Sequence, residues 1–181
     1  MEDKVLVAYA SKYGSTKEVA EVVAGVLRES GLTADLQPMS KVRDLEPYGA
    51  VVLGAPIYLG SWHADFRKFL AKHQEGLIRR RPVIFTLGPT HSDPAEWQGV
   101  RIQLEKELAN YSWLNPLATE LFGGKYDPAK LRIPDSLLSA LPASPLHGMP
   151  ASDARDWQAI RTWAQKMAEQ LRFVESKQET I

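Results

Sequence analysis

The chain has 181 residues, of which 44% are hydrophobic and 24% charged, and this composition is typical of one soluble globular domain rather than a fibrous or disordered chain. Its 22 basic and 22 acidic side chains cancel, whereas a dedicated nucleic-acid binder normally carries a basic surplus. Cysteine is absent, which excludes disulfides, thiolate metal sites and cysteine nucleophiles and fits a cytoplasmic location.

The first half of the chain alternates between predicted strands and helices. A valine-rich run at 5–9 predicts a strand buried on both faces, and apolar residues at helical spacing over 19–27 predict a helix after it. Strands are also predicted at 33–37 and 50–55. One helix then follows, with apolar positions from Phe66 to Ile78.

The second half continues this alternation. Strands are predicted at 82–87 and 117–122. Between them, the sequence predicts the start of a helix, with Asp93 as its cap and Pro94 in its first turn. Glu96 is predicted to close a capping box.

A long last helix is predicted from apolar residues at helical spacing over 157–171. The stretch before it, 125–150, holds five of the 12 prolines. We interpret 125–150 as an insertion within a single domain that spans 1–181. We also expect no targeting segment, because the start is charged, and no membrane-spanning stretch, because no apolar run is long enough.

Alternating strands and helices predict an α/β fold with a parallel sheet and helices on both of its faces. In such sheets, ligands bind at the carboxyl ends of the strands, near the switch point in strand order. The loops after the first, third and fourth predicted strands are therefore the candidate site.

The loop after the first strand has the residues of an anion site. Hydroxyl side chains and a glycine precede a helix start, where free backbone N–H groups and the helix dipole favour a phosphate. The loop has neither the Walker A spacing nor a dinucleotide fingerprint. A plain polar turn is the alternative. The candidate residues are Ser11, Lys12, Tyr13, Gly14, Ser15 and Thr16.

The other two loops are suited to a flat, apolar ligand. Exposed aromatic and apolar residues lose hydration unless something covers them, and a ring system could stack there. The alternative is that Tyr58 and Trp62 pack on neighbouring helices. The candidates in the second loop are Pro56, Ile57, Tyr58, Leu59, Gly60 and Trp62. Those in the third loop are Gly88, Pro89, Thr90 and His91.

The first loop resembles the phosphate loop of flavodoxins, and the other two occupy the places of that family's isoalloxazine loops. Within the superfamily, the chain is most similar to flavodoxin-domain proteins of the bacterial menaquinone-dependent protoporphyrinogen oxidase type. The residues that carry this second resemblance are Gly54, Ala55, Ile57, Gly60, His63, Phe66, Phe69, Gly123, Gly124 and Tyr126, together with the insertion before a tryptophan-bearing last helix.

The resemblance implies a flavodoxin-like three-layer sandwich with a five-stranded parallel sheet in the order 2-1-3-4-5. It also implies non-covalent FMN, with the phosphate on residues 11–16 and the ring between the second and third loops. The Gly60 carbonyl would then accept a hydrogen bond from N5 of the reduced flavin.

Two features depart from the oxidase pattern. Tyr58 and Leu59 stand where that oxidase typically has Arg and Tyr. The insertion has few basic residues, namely Lys125, Lys130 and Arg132 against two aspartates. Its leucines and isoleucine could form an apolar face that contacts a membrane, or could pack on the domain itself. The residues concerned are Leu131, Ile133, Leu137, Leu138 and Leu141.

We therefore expect an FMN-dependent oxidoreductase that acts on a quinone or a porphyrinogen-like substrate. The alternatives are a flavodoxin-type electron carrier that docks on protein partners, and a binding module without FMN. The balanced charge favours the enzyme, because carriers are usually strongly acidic. The sequence assigns no separate catalytic acid or base and no metal, since the spacings around His63 and His91 match no ligand pattern.

Overall fold

The computed structural model describes residues 4–58, 60–133, 135–142 and 147–178. In this part of the chain, five parallel strands form a central sheet, and a two-residue strand pairs antiparallel with the end of one of them. The strands are β1 (Lys4–Tyr9), β2 (Thr33–Pro38), β3 (Ala50–Tyr58), the short β4 (Ser61–Trp62), β5 (Val83–Leu87) and β6 (Ala118–Phe122).

The parallel strands lie in the order β2-β1-β3-β5-β6. This is the predicted flavodoxin order once the short β4, which pairs only with β3, is counted separately. Strand β4 was not predicted, because two residues are too few to show an alternating pattern. The switch point lies between β1 and β3, which are parallel neighbours in the sheet.

Helices cover both faces of the sheet. Helix α1 (Ser15–Glu29) and the last helix lie on one face, and three helices lie on the other. The three are α2 (Ala64–Lys72), α3 (Gln74–Arg80) and α4 (Pro94–Ala109). Because successive side chains of β1 point to opposite faces, Val7 joins the first core and Leu6 the second. Burial of both faces explains the continuous apolar runs in these strands.

The predicted helix from Phe66 to Ile78 is instead two helices. Helix α2 ends and α3 begins around His73, whose backbone lies outside the helical region with φ −112° and ψ 20°. Leu77 is buried, whereas Ile78, predicted as an apolar position of the same helix, is half-exposed, because adjacent helical residues point about 100° apart.

The predicted capping box of α4 forms only in part. Asp93 caps the helix, because its carboxylate accepts a hydrogen bond from the Ala95 N–H at 2.9 Å, and Pro94 occupies the first turn. Glu96 does not close the box. Its carboxylate accepts from the Thr90 N–H at 2.7 Å and therefore stabilises the loop after β5.

The insertion is anchored to the domain at both ends. Strand β7 (Lys125–Tyr126) pairs with β8 (Ser152–Asp153), and α5 (Asp135–Ala140) lies between them, before α6 (Trp157–Gln178). The predicted apolar face is partly solvent-facing, since Ile133, Leu137 and Leu141 are each more than half exposed. The side chain of Leu138 lies outside the described part of the chain. No helix in the described ranges has the length and apolarity needed to cross a membrane.

Candidate functional site

The first loop turns sharply from β1 into α1. Gly14 adopts φ +93°, a conformation that L side chains rarely adopt, and its N–H donates to the Ser11 hydroxyl at 3.0 Å. The helical ladder begins with the Glu18 N–H, which donates to the Gly14 carbonyl at 3.0 Å. The preceding N–H groups at the start of α1 have no partner within the helix and can receive an anion.

A buried hydroxyl in this loop lacks a hydrogen-bond partner. Thr16 is fully buried, and its Oγ1 makes no hydrogen bond within the protein. Leaving a buried polar atom unsatisfied costs about 1–3 kcal/mol. A phosphate oxygen would accept from this hydroxyl, and the loop residues therefore fit the phosphate of a mononucleotide.

The second loop is a tight hairpin between β3 and β4. Tyr58 pairs with Ser61, and Gly60 in the turn has φ +80°. Pro56 and Ile57 are buried, whereas Tyr58 remains 43% exposed. Leu59 lies outside the described residues. The hairpin therefore presents Tyr58 as the aromatic side chain at the rim.

Trp62 lies in the core and not at this rim. Its indole N–H donates to the Thr86 hydroxyl at 3.2 Å, and its ring packs on Phe66 with a centroid distance of 4.6 Å. Trp62 is paired across the hairpin with Ile57, and cross-strand partners point to the same face. This pairing directs both side chains inward. Trp62 therefore packs against a neighbouring helix, which is the alternative that the sequence left open.

The third loop is held by its backbone and by Glu96. The Gly88 N–H donates to the Phe122 carbonyl at 3.2 Å, and a Cβ on Gly124 would lie 2.9 Å from the Gly88 carbonyl oxygen. Glycine at position 124 is therefore needed for this close approach. Thr90 and His91 both contact Glu96, with the His91 Nδ1 3.3 Å from the carboxylate.

The three loops meet around a cavity of about 180 Å³. Its walls include Tyr13 and Ser15 from the first loop, Tyr58 from the second, and Gly88 and Thr90 from the third. These residues, distant in sequence, come together at the carboxyl ends of β1, β3 and β5. The other described candidates of these loops do not line the cavity, namely Ser11, Lys12, Gly14, Thr16, Pro56, Ile57, Gly60, Trp62, Pro89 and His91.

The insertion forms the remaining wall of this cavity. Tyr126, Leu131 and Met149 line it from that side. A larger groove of about 540 Å³, beside Arg43 and His73, shares no residue with the three loops. The smaller cavity is therefore the one related to the predicted site.

Asp135 of α5 links the insertion to the first loop. It accepts a hydrogen bond from Lys12 Nζ at 2.5 Å and another from the Tyr13 hydroxyl. Both hydrogen bonds lower the pKa of Asp135, and the bond from Lys12 has the larger effect. The sequence contained no signal of this contact, because more than 120 residues separate its partners.

Tyr58 keeps its proton under ordinary conditions. Partial burial of this side chain, with smaller contributions from Tyr13 and Asp135, raises the pKa of Tyr58 to about 12. A neutral phenol can donate as well as accept a hydrogen bond. Tyr58 therefore supplies a proton donor at the mouth of the cavity.

Among the described residues, no group of three or more histidine and carboxylate side chains is arranged to hold a metal ion. The two histidines considered above have other roles. His63 caps α2, because its Nδ1 accepts from the Asp65 N–H at 3.2 Å. His91 is oriented by Glu96.

A doubly wound parallel sheet with a glycine turn before α1 and two further loops at the same edge is typical of a mononucleotide-binding α/β protein. The family model described as Flavodoxin domain matches residues 6–141. The chain belongs to this family, and the predicted resemblance and fold are confirmed. It is an FMN-binding redox protein, as predicted.

Two curated relatives match part of the chain. Protoporphyrinogen IX dehydrogenase [quinone] of Escherichia coli (strain K12) is 35% identical over 72 residues, which is 39% of this chain and 40% of that protein. NAD(P)H dehydrogenase (quinone) of Caulobacter vibrioides is 30% identical over 36% of this chain and 44% of its own length. The chain thus spans less than half the length of each.

Solved structures share the fold at low sequence identity. A flavodoxin, WrbA-like protein from Agrobacterium tumefaciens has a TM-score of 0.56 and 17% identity, with 94% of this chain and 98% of that chain covered. An archaeal flavodoxin has a TM-score of 0.53 and 16% identity, with 93% of this chain and 99% of that chain covered. These likenesses concern the architecture alone.

Proposed function

We propose that this protein is an FMN-dependent oxidoreductase whose acceptor is a quinone. Both curated relatives carry the word quinone in their names. The proposal is supported above all by the cavity, whose walls come from the three cofactor loops and the insertion together. The insertion lines one side of this cleft, and a small planar acceptor needs less open surface beside the flavin ring than a protein partner does.

The residue assignments follow from this placement. We assign the phosphate to the loop 11–16, where the Thr16 hydroxyl lacks a partner. We assign the ring to the space between Tyr58 and the backbone around Gly88 and Thr90. Pro56, Gly60 and the rest of the hairpin would then support the ring from behind.

When bound, FMN supplies the electron and hydride chemistry, and the protein holds it and tunes its properties. Tyr58 places a neutral hydroxyl at the cavity, where it can donate a hydrogen bond to a carbonyl oxygen. Glu96 holds the His91 ring and the Thr90 N–H in fixed positions. The contact of Asp135 with Lys12 and Tyr13 joins the insertion to the first loop at the wall of the cavity.

The exposed apolar residues of the insertion favour a peripheral membrane contact. Ile133, Leu137 and Leu141 face solvent. Exposed apolar side chains can insert at a lipid surface, while Lys130 and Arg132 are balanced by Asp127 and Asp135. We expect the protein to sediment with lipid vesicles, and an Ile133→Ser/Leu137→Ser variant to remain in the supernatant. Equal sedimentation of both would contradict this.

Rapid-mixing kinetics test the proposed acceptor. The FMN-loaded protein is reduced anaerobically and mixed with a water-soluble quinone, and its reoxidation is followed by flavin absorbance. We expect fast reoxidation by the quinone and slow reoxidation by a one-electron protein acceptor such as cytochrome c. The reverse order of rates would support an electron carrier and refute the proposal. Oxidation of a porphyrinogen in parallel tests the donor side.

A further inference from the structure

Arg155 is a buried guanidinium beside the first loop. Its side chain is only 2% exposed, and it precedes α6. Its Nη1 donates to the Glu18 carboxylate at 2.7 Å and lies 3.4 Å from the Ser15 carbonyl oxygen. Its Nε and Nη2 donate to Asp153 at 2.7 and 2.6 Å. The guanidinium is therefore fixed by two carboxylates.

Glu18 is an unusual neighbour for a phosphate site. It lies in the first turn of α1 and lines the cavity, and its Oε1 is 4.0 Å from the position of a Cβ on Gly14. A phosphate monoester carries about 1.5–2 negative charges at pH 7. Because like charges at such short range repel strongly, an unpaired Glu18 would oppose phosphate binding.

Arg155 completes a balanced group of four charges. Arg155 and Lys125 provide two positive charges, and Glu18 and Asp153 provide two negative charges, with Lys125 Nζ 3.9 Å from Asp153. Burial opposes the charge on Arg155, but its hydrogen bonds to Asp153 and Glu18 outweigh burial and raise its pKa. Arg155 therefore stays charged, and the group is neutral as a whole.

We propose that Arg155 is a positioning residue that neutralises Glu18 and thereby sets the affinity of the first loop for the FMN phosphate. This inference rests on the proposed placement of the phosphate on residues 11–16. Arg155 acts through Glu18 and through the start of α1, rather than on the reacting ring. No sequence motif indicated this role, because Arg155 and Glu18 are separated by 137 residues.

A charge series tests the inference. The net charge of the group is 0 in the unaltered protein, −1 in Arg155→Met, +1 in Glu18→Gln, and 0 again in the double variant. We expect the affinity for FMN to fall roughly three- to thirtyfold in Arg155→Met and to rise in Glu18→Gln, with recovery in the double variant. Riboflavin has no phosphate, and its affinity should stay constant across the series.

An ion pair between α1 and α6, away from the first loop, serves as the control. Arg161 of α6 pairs with Glu29 at 2.8 Å, at the opposite end of α1 from the loop. Arg161→Met and Glu29→Gln should leave the affinities for both FMN and riboflavin unchanged. All affinities are measured by quenching of flavin fluorescence, with circular dichroism to confirm folding.

The outcomes separate the inference from the proposed function. If Arg155→Met weakens FMN and riboflavin equally, or if Glu18→Gln does not rescue it, Arg155 is only structural and the inference is overturned. If Arg155→Met does not fold, an unchanged FMN affinity in Glu18→Gln overturns it as well. If the unaltered protein does not prefer FMN to riboflavin, the phosphate placement itself is refuted.

Discussion

The first loop allows a matched pair of glycine substitutions. Gly14 in the loop and Gly31 after α1 have nearly the same backbone angle, φ +93° and φ +87°. A Cβ on Gly14 would meet only Glu18 Oε1 at 4.0 Å, and one on Gly31 would meet nothing within 4 Å. Alanine at either position therefore strains the backbone without a steric clash in the protein.

The strain can be estimated for both variants. An L residue forced into the left-handed region costs about 1–2 kcal/mol. In a domain of this size each kcal/mol lowers Tm by about 2–4 °C, so both variants should melt about 2–8 °C lower. The loss of stability should be similar for Gly14→Ala and Gly31→Ala.

The effect on FMN should differ between them. The added methyl of Gly14→Ala stands in the turn to which we assign the phosphate, whereas that of Gly31→Ala lies at the other end of α1. Loss of one hydrogen bond to a charged group costs about 1.5–3 kcal/mol, or roughly tenfold to a hundredfold in affinity. Fluorescence titration with FMN measures this. Equal affinities for the two variants would refute the phosphate placement.

Two further predictions concern the core and the insertion. Gly54→Ala would place a Cβ 2.1 Å from Phe85 Cζ and should cost about 1–3 kcal/mol of unfolding free energy. In urea titrations, Gly54→Ala and Phe85→Leu together should cost less than the sum of the single changes, and additive costs would contradict this contact. Asp135→Asn should cost about 1 kcal/mol at pH 7. Because the pKa of Asp135 is lowered in the folded state, its contribution is present above its unfolded value near 3.9 and is lost as the pH falls through the folded value. The stability difference from the unaltered protein should therefore shrink below about pH 4, and a constant difference down to pH 3 would contradict the link to Lys12.

The sequence alone determined the parallel sheet and the glycine turn that leads from β1 into α1. Both depend on local patterns. A continuous apolar run such as 5–9 is typical of a strand buried on both faces, and the small residues around Gly14 are typical of a turn into a helix. Both patterns can be recognised from consecutive residues, because a strand buried on both faces is an uninterrupted apolar run and a backbone with positive φ favours glycine.

Only the tertiary structure decided which side chains face the cavity. Tyr58 points to the cavity and Trp62 into the core because a two-residue turn sets the register of the hairpin between them. A shift of one residue in that register would exchange the two faces. The aromatic content of the loop was visible in the sequence, but this register was not.

The charged contacts around the first loop likewise depend on the path of the whole chain. Asp135 reaches Lys12, and Arg155 reaches Glu18, across more than 120 residues in each case. Such pairs form only when the insertion and the last helix return to the carboxyl edge of the sheet. No local sequence pattern indicates these ion pairs, because ion pairing depends on distance in space rather than on separation along the chain.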